Sequence, residues 1–242
     1  MGCAMRMDKR VRGCRYWVLT ALLISHFSLF TSSVAAQDDP EYRMEVGGGV
    51  ALTTYLGDFN ANLTTGMQGA GALVAKYKMN PRMAFAATMT YGRMKGSSKD
   101  TETWYPETAE RPYSFSNQLI DLTLRYEYNF WAYGTGREYY GAKPVAPFIA
   151  LGLGFTYADA HPGTFAASLP VGAGVKVKLG ERLNLSAEWM MHFTGTDHLD
   201  GVKDPYGIRS SGLLKNTDCF SAFMVALTYD IWEKCKTCNN DR

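Results

Sequence analysis

The sequence predicts an all-β protein, an eight-stranded antiparallel transmembrane β-barrel with both termini in the periplasm. Three observations predict it. The N-terminus has the basic-then-apolar make-up of an export signal, eight later segments alternate between an apolar and a polar face, and the connections between them alternate between short and long.

Arg6, Lys9, Arg10, Arg12 and Arg15 form a basic region, Tyr16 to Phe30 is apolar, and Ser33-Val34-Ala35-Ala36 supplies small residues for cleavage. Residues 1–36 are therefore read as a signal peptide cut between Ala36 and Gln37, leaving a barrel over 37–232 and a periplasmic tail over 233–242. The apolar stretch is shorter than the roughly 20 residues a spanning helix needs, and His26 interrupts it. Cleavage removes five basic residues and Asp8, turning a formal charge of +2 for the whole chain into a slightly acidic balance. Nothing in that balance calls for nucleic acid. The remainder holds no apolar run long enough for a membrane helix.

A strand with two different faces shows a period of two in its sequence. In the first segment Tyr42, Met44, Val46, Val50 and Leu52 oppose Arg43, Glu45, Gly47, Gly49, Ala51 and Thr53. The second sets Met67, Leu73, Ala75, Tyr77 and Met79 against Gln68, Ala70, Ala72, Lys76 and Lys78, and the third sets Met83, Phe85, Ala87, Met89 and Tyr91 against Ala84, Thr88, Thr90 and Gly92. The clearest is the fourth, where Ile120, Leu122, Leu124, Tyr126, Tyr128 and Phe130 alternate with Asp121, Thr123, Arg125, Glu127 and Asn129. Similar segments follow at 149–157, 169–179, 183–193 and 222–231. Each is about as long as the 9–11 residues a tilted bilayer strand requires.

Asn80-Pro81-Arg82 and Gly180-Glu181-Arg182 read as tight turns, whereas 96–116 and 194–218 read as long polar loops. A soluble barrel also alternates, but it hides its apolar face. Here the apolar face carries almost no charge across eight segments, and Arg, Lys, Glu and Asp lie on the other. With an export signal, that places the apolar face in the outer membrane. Tyr55, Tyr91, Tyr157 and Phe193 at one end, with Tyr42, Tyr77, Tyr128 and Trp232 at the other, are expected to form the interfacial girdles.

Eight strands enclose a space that side chains fill, which excludes an open aqueous pore. Arg43, Glu45, Lys76, Lys78, Arg125, Glu127, Lys176, Lys178 and Asp230 gather toward the inner end of that space. They are expected to form an ion-paired plug with spare lysines facing water. The sharper alternative is a net-positive mouth that docks an acidic partner through Lys78 and Lys178. Ser186, Glu188 and His192 face inward on one strand, but Ser186 is six residues from His192, roughly 20 Å along a strand. A nucleophile and its base must be within hydrogen-bond reach, so no catalytic residues are assigned. Asp197, Asp200 and Asp204 lack the spacing of a calcium loop and are read as turn residues. Neither a cofactor nor a metal nor a small-molecule substrate is implied. Of the cysteines that remain after cleavage, Cys219 is read as isolated, and Cys235 and Cys238 as partners in a local or intermolecular disulfide.

Several motifs, taken in order, carry a resemblance: Tyr55-Leu56-Gly57-Asp58-Phe59-Asn60, Tyr77-Lys78-Met79-Asn80-Pro81-Arg82, Thr90-Tyr91-Gly92-Arg93, Pro147 to Gly154, and Thr196-Asp197-His198-Leu199-Asp200. Together, from Tyr42 to about Trp232, the chain resembles the PorG-type, DUF6089-like outer-membrane barrels of Bacteroidota. The resemblance implies a non-enzymatic part in the type IX protein secretion system, tying the periplasmic ring of PorK- and PorN-like proteins to the outer membrane. Such a role needs a periplasmic surface. The connection 131–144 offers Trp131, Tyr133, Arg137, Tyr139, Tyr140 and Lys143, and Trp232 at the end of the last strand joins them, although Trp131 and Tyr133 fit a place at the lipid interface equally well. Aromatic and Arg side chains are the usual interface anchors. The alternatives are a free-standing barrel acting as an adhesin or surface-stability protein and, less favoured, an enzyme that modifies lipid from its lumen.

Overall fold

The computed structural model describes residues 41–60, 62–99, 113–135, 142–160, 163–202 and 217–233. The chain divides into two units, Met1–Asp38 and Asp39–Arg242, and the described residues all lie in the second. The signal peptide, its cleavage site at Ala36 and Gln37, and the tail from residue 234 onward therefore lie outside them.

Eight antiparallel strands, each hydrogen-bonded to its neighbours in sequence, close into a barrel. They are β1 (Tyr42–Leu56), β2 (Gln68–Asn80), β3 (Met83–Ser97), β4 (Ser114–Asn129), β5 (Val145–Ala158), β6 (Thr164–Lys178), β7 (Leu183–Thr194) and β8 (Cys219–Glu233). Closure comes from β1 against β8, from Tyr42↔Glu233 to Leu56↔Cys219. One end of the barrel therefore holds the start of β1, the end of β8, the turns 81–82 and 179–182, and residues 130–135 and 142–144. We call it the turn end. At the other, the loop end, β1, β3, β5 and β7 finish and β2, β4, β6 and β8 begin.

The alternation read from the sequence is the alternation of the walls. Leu73, Leu122, Leu124, Leu153, Phe155 and Leu227 are exposed on the outside, while Lys76, Arg125, Glu127, Lys176 and Glu188 are buried inside. In water, the large apolar side chains exposed on every strand, Trp189 on β7 among them, would be an aggregation surface. In hydrocarbon they face a matching solvent, and a closed ladder leaves no unpaired backbone edge. The barrel is therefore built to span a bilayer.

Two features differ from the sequence expectation. The β3–β4 ladder runs on through Lys95↔Ser116 to Ser97↔Ser114, so the loop expected at 96–116 narrows to 98–113. Beyond the apolar band the outward residues are polar, and the period of two loses its contrast while the backbone keeps pairing. The aromatic girdles also lose two members. Tyr55 is 0 % exposed and faces the barrel interior, on the same side of β1 as Thr53 and Ala51. Tyr42 is buried at the turn end, its ring 5.5 Å from Lys178 Nζ and 5.3 Å from the Arg182 guanidinium, so two cations hold it there.

Candidate functional site

Three layers of the barrel carry chemistry. The first is the charged plug in the turn-end half of the lumen. Glu127 receives Lys176 at 2.5 Å and Lys76 at 3.4 Å, and Arg125 lies 3.6 Å away. Arg125 also donates to Glu188 at 2.6 Å and to Thr88 Oγ1 at 3.1 Å. Below them Lys78 bridges Asp230 at 2.5 Å and Glu45 at 3.2 Å, Lys178 takes the other Asp230 oxygen at 2.5 Å, and Thr228 donates to Glu45. The ring of Phe148 lies 4.7 Å from Lys176 Nζ and 5.6 Å from Lys76 Nζ. Lysines spare to face water were expected, and the structure overturns this. Lys78 and Lys178 both end on the Asp230 carboxylate, because an amine in the lumen needs an acid once it leaves water.

The second layer lies across the turn-end mouth. Residues 130–135 leave β4 and cross toward the start of β1, where Thr135 donates from N at 3.1 Å and from Oγ1 at 2.6 Å to the Glu41 carboxylate. Tyr133 N donates to Pro81 O at 3.0 Å, and Lys143 N to Ala132 O at 2.7 Å. The structure separates the two aromatic residues of this segment. Tyr133 is 7 % exposed, its hydroxyl donates to Asn184 Oδ1 at 2.8 Å, and Lys78 and Lys178 lie within 6 Å of its ring. It closes the lumen and is not available as a surface anchor. Trp131 is 44 % exposed, with Lys143 Nζ 4.4 Å above its ring. Trp232 is 61 % exposed and, unusually for a bulky residue, has a φ of 64°. Arg137, Tyr139 and Tyr140 lie outside the described residues, as do Cys235 and Cys238. Cys219 is free and half-buried.

The third layer caps the loop end and was not anticipated. Tyr55, Phe59, Met94, Phe115, Leu119, Ala158, Leu199 and Phe220 pack into one buried cluster. At its centre the Tyr55 hydroxyl lies 2.5 Å from Asp218 Oδ1 and 2.9 Å from Asp200 Oδ2. Asp218 Oδ2 accepts from Leu199 N at 2.9 Å, Asn117 Nδ2 donates to Leu199 O at 2.8 Å, and Tyr113 donates to Asp200 O at 2.9 Å. Asp200 Oδ1 accepts from Val202 N at 2.9 Å, the Asx turn expected of this loop. Burial, and after it the neighbouring Asp200 carboxylate, push Asp218 up to about 8, and burial raises Asp200 as well. Among the described residues no three His, Cys, Asp or Glu are placed to hold a metal ion, and Asp204 lies outside them. The parity of β1 was the missed signal for Tyr55: it falls on the inward face, in register with Glu45 and Thr53.

The residues weighed for catalysis are dispersed. Glu188 is spent on Arg125, and Ser186 is buried in the register Ser186↔Ala226, well down the strand from His192. His192 stacks on Phe220 with ring centroids 4.3 Å apart, its Nδ1 3.4 Å from Asp121 Oδ2. Asp121 in turn accepts from Thr156 at 2.7 Å. That is packing for a buried imidazole.

Residues 21–240 match the family model described as "Domain of unknown function (DUF6089)". The chain belongs to this family. No curated protein matches it. Among solved structures, this DUF6089 protein is similar to Neisserial surface protein A at 15% identity and a TM-score of 0.49, over 78% of this chain and 97% of that one. It is also similar to Ail, the attachment invasion locus protein of Yersinia pestis, at 12% identity and a TM-score of 0.45, over 79% and 99%. The outer membrane protein OprG of Pseudomonas aeruginosa aligns at 10% identity and a TM-score of 0.45, over 82% and 100%.

Proposed function

We propose that this barrel is a non-enzymatic outer-membrane component of a type IX protein secretion system, which fixes a periplasmic ring of PorK- and PorN-like proteins to the membrane. In this reading the turn end faces the periplasm and the loop end the outside, as short inner turns and longer outer loops arrange other outer-membrane barrels. The observation that carries it is the sealed turn end. Ion pairs fill the lumen, Tyr133 closes its mouth, and the segment over it is pinned to Pro81 and Glu41. Such a barrel does not conduct. It offers a rigid platform with Trp131 and Trp232 exposed on its rim. The resemblance of its motifs to PorG-type barrels supplies the partner.

The test is affinity purification of the tagged chain from outer membranes. Ring subunits should co-purify, and deletion of the gene should stop secretion through the system. A chain that purifies without ring proteins, in cells that still secrete, would end this reading. The second reading, a free-standing barrel that works through its outer loops, draws on the latch of Tyr55, Asp200 and Asp218, which gives the loop at 195–202 a fixed shape. That reading predicts neither ring subunits nor a secretion defect.

A further inference from the structure

On the outer wall near the loop end, a groove of about 910 Å³ runs over β1, β2, β3 and β8. Its floor is apolar, with Val50, Leu52, Phe223 and Val225 among the lining residues. Gly69 and Gly71 face outward along it, and a Cβ at either would meet nothing within 4 Å, so the space over them is open. The groove overlies an interruption in the wall. The β2–β3 ladder stops at Gly71↔Tyr91, although β2 begins at Gln68 and β3 runs on to Ser97. The Arg93 carbonyl, which the ladder would otherwise use, accepts from Thr53 Oγ1 at 2.8 Å.

The groove ends at a cationic shelf. Arg93 lines it, and Lys95 projects from the same face of β3, two residues or about 7 Å further toward the loop end. Across the ladder Arg93 is paired with Gln118 and Lys95 with Ser116, both exposed, and the Tyr91 hydroxyl donates to Gln118 Oε1 at 3.0 Å. Among the described residues no carboxylate is within ion-pair distance of Arg93 or Lys95. Immediately below this shelf the wall turns apolar at Tyr91↔Ile120. Two cations that no described carboxylate pairs, with an amide and a hydroxyl beside them, stand at the edge of hydrocarbon above an apolar groove and match a headgroup with phosphate and sugar hydroxyls and an acyl chain beneath it.

We infer that this groove, with Arg93 and Lys95 at its rim, seats a phosphorylated, multiply acylated glycolipid of the outer leaflet, of the lipid A type. One acyl chain lies over Gly69 and Gly71, and a phosphate meets the two cations. Arg and Lys make charge-assisted hydrogen bonds to phosphate, and a groove of this size is within the roughly 300–1,000 Å³ range of small-molecule sites. The inference rests on the loop end facing the outer leaflet. It does not depend on ring attachment, so failure of ring co-purification leaves it standing.

The test is a native mass-spectrometric titration of the full refolded barrel in detergent with diphosphorylated lipid A, its dephosphorylated form and phosphatidylglycerol. Folding of each variant is checked by heat-modifiable gel migration. The expected result is retention of lipid A at least about tenfold tighter than of phosphatidylglycerol. R93Q/K95Q should lower lipid A retention to that of the dephosphorylated form, whereas the charge-preserving R93K/K95R should keep it. G69V/G71V, whose new side chains enter open space, should weaken both lipid A forms and so decides the matter if R93Q/K95Q does not fold. The proposal is overturned if R93Q/K95Q and G69V/G71V retain lipid A as the native chain does, or if phosphatidylglycerol binds as tightly. It is equally overturned if the barrel forms a dimer that G69V/G71V disrupts.

Discussion

The Tyr55 hydroxyl lies 2.5 Å from Asp218 Oδ1, and Asp200 Oδ2 waits on its other side at 2.9 Å. A phenol has one proton to give, so both contacts are hydrogen bonds only when one carboxyl is itself protonated. Asp218, pushed up to about 8 by burial and by Asp200, is that carboxyl at neutral pH. The chain of donors then runs from Asp218 to Tyr55 to Asp200, and it joins β1 to the loop between β7 and β8.

The latch is accordingly pH-dependent. The folded-state value of Asp218, about 8, is above its ordinary 3.8, so folding favours the protonated form. Its contribution is complete below about pH 4 and is lost as pH rises through about 8. Hydrogen exchange of the Leu199 and Val202 amides, which donate to these carboxyls, should show weaker protection at pH 9.5 than at pH 6 once intrinsic rates are corrected. Asp218→Asn, which holds the neutral form, should flatten the difference. A native profile with no step between pH 6 and 9.5 would refute the shared proton.

Gly57 is where a single methyl group should open the same latch. A Cβ built there falls on Tyr55 Oη and Asp218 Oδ1, its nearest neighbours. Gly57→Ala should therefore mimic Tyr55→Phe, which strands two buried carboxyls at a cost of about 1–3 kcal/mol. Both variants should lose Leu199 protection while the strands keep theirs. Native-like protection in Gly57→Ala would mean that the loop yields elsewhere.

In the lumen, removing one charge should hurt more than removing a pair. Glu127 receives Lys176 and Lys76, so Glu127→Ala leaves buried ammonium groups and should cost about 3–5 kcal/mol. Replacing Arg125 and Glu188 together with Met and Leu removes both members of the 2.6 Å pair and should cost much less than either substitution alone. Denaturant unfolding from lipid vesicles reads both. Additive losses in the double variant would mean that Arg125 owes its place to Thr88 and Glu127 instead.

The limits of sequence reading follow from the same residues. Leu122 and Leu124 outside, with Arg125 and Glu127 inside, were legible because a bilayer and a charged lumen impose opposite demands on adjacent positions. Where that contrast fades, at Lys95, Ser114 and Ser116, the strands continued unseen. Tyr55 was misplaced because an aromatic at a strand end fits a girdle by type, although its parity pointed inward. The latch could not be read at all, since Tyr55 and Asp218 are 163 residues apart and no local pattern joins them. Lys78 and Asp230, 152 apart, became partners only through strand register.

Under the proposed ring-anchoring role, Trp131 and Tyr133, two residues apart, should separate attachment from stability. Tyr133 Oη donates to Asn184 in a buried bond of 2.8 Å, and its ring closes the lumen beside Lys78 and Lys178. Tyr133→Phe should cost about 0.5–1.5 kcal/mol, and ring subunits should still co-purify. Trp131 does the opposite. Its exposed ring, steadied by Lys143 at 4.4 Å, has little to hold within the barrel, whereas exposed Trp side chains often carry 2 kcal/mol or more at an interface. Trp131→Ala should leave the unfolding midpoint unchanged and reduce ring recovery by about tenfold or more. If Trp131→Ala barrels hold the ring as firmly as the native chain, attachment does not pass through this side of the turn end, and Trp232 on the far strand becomes the residue to replace.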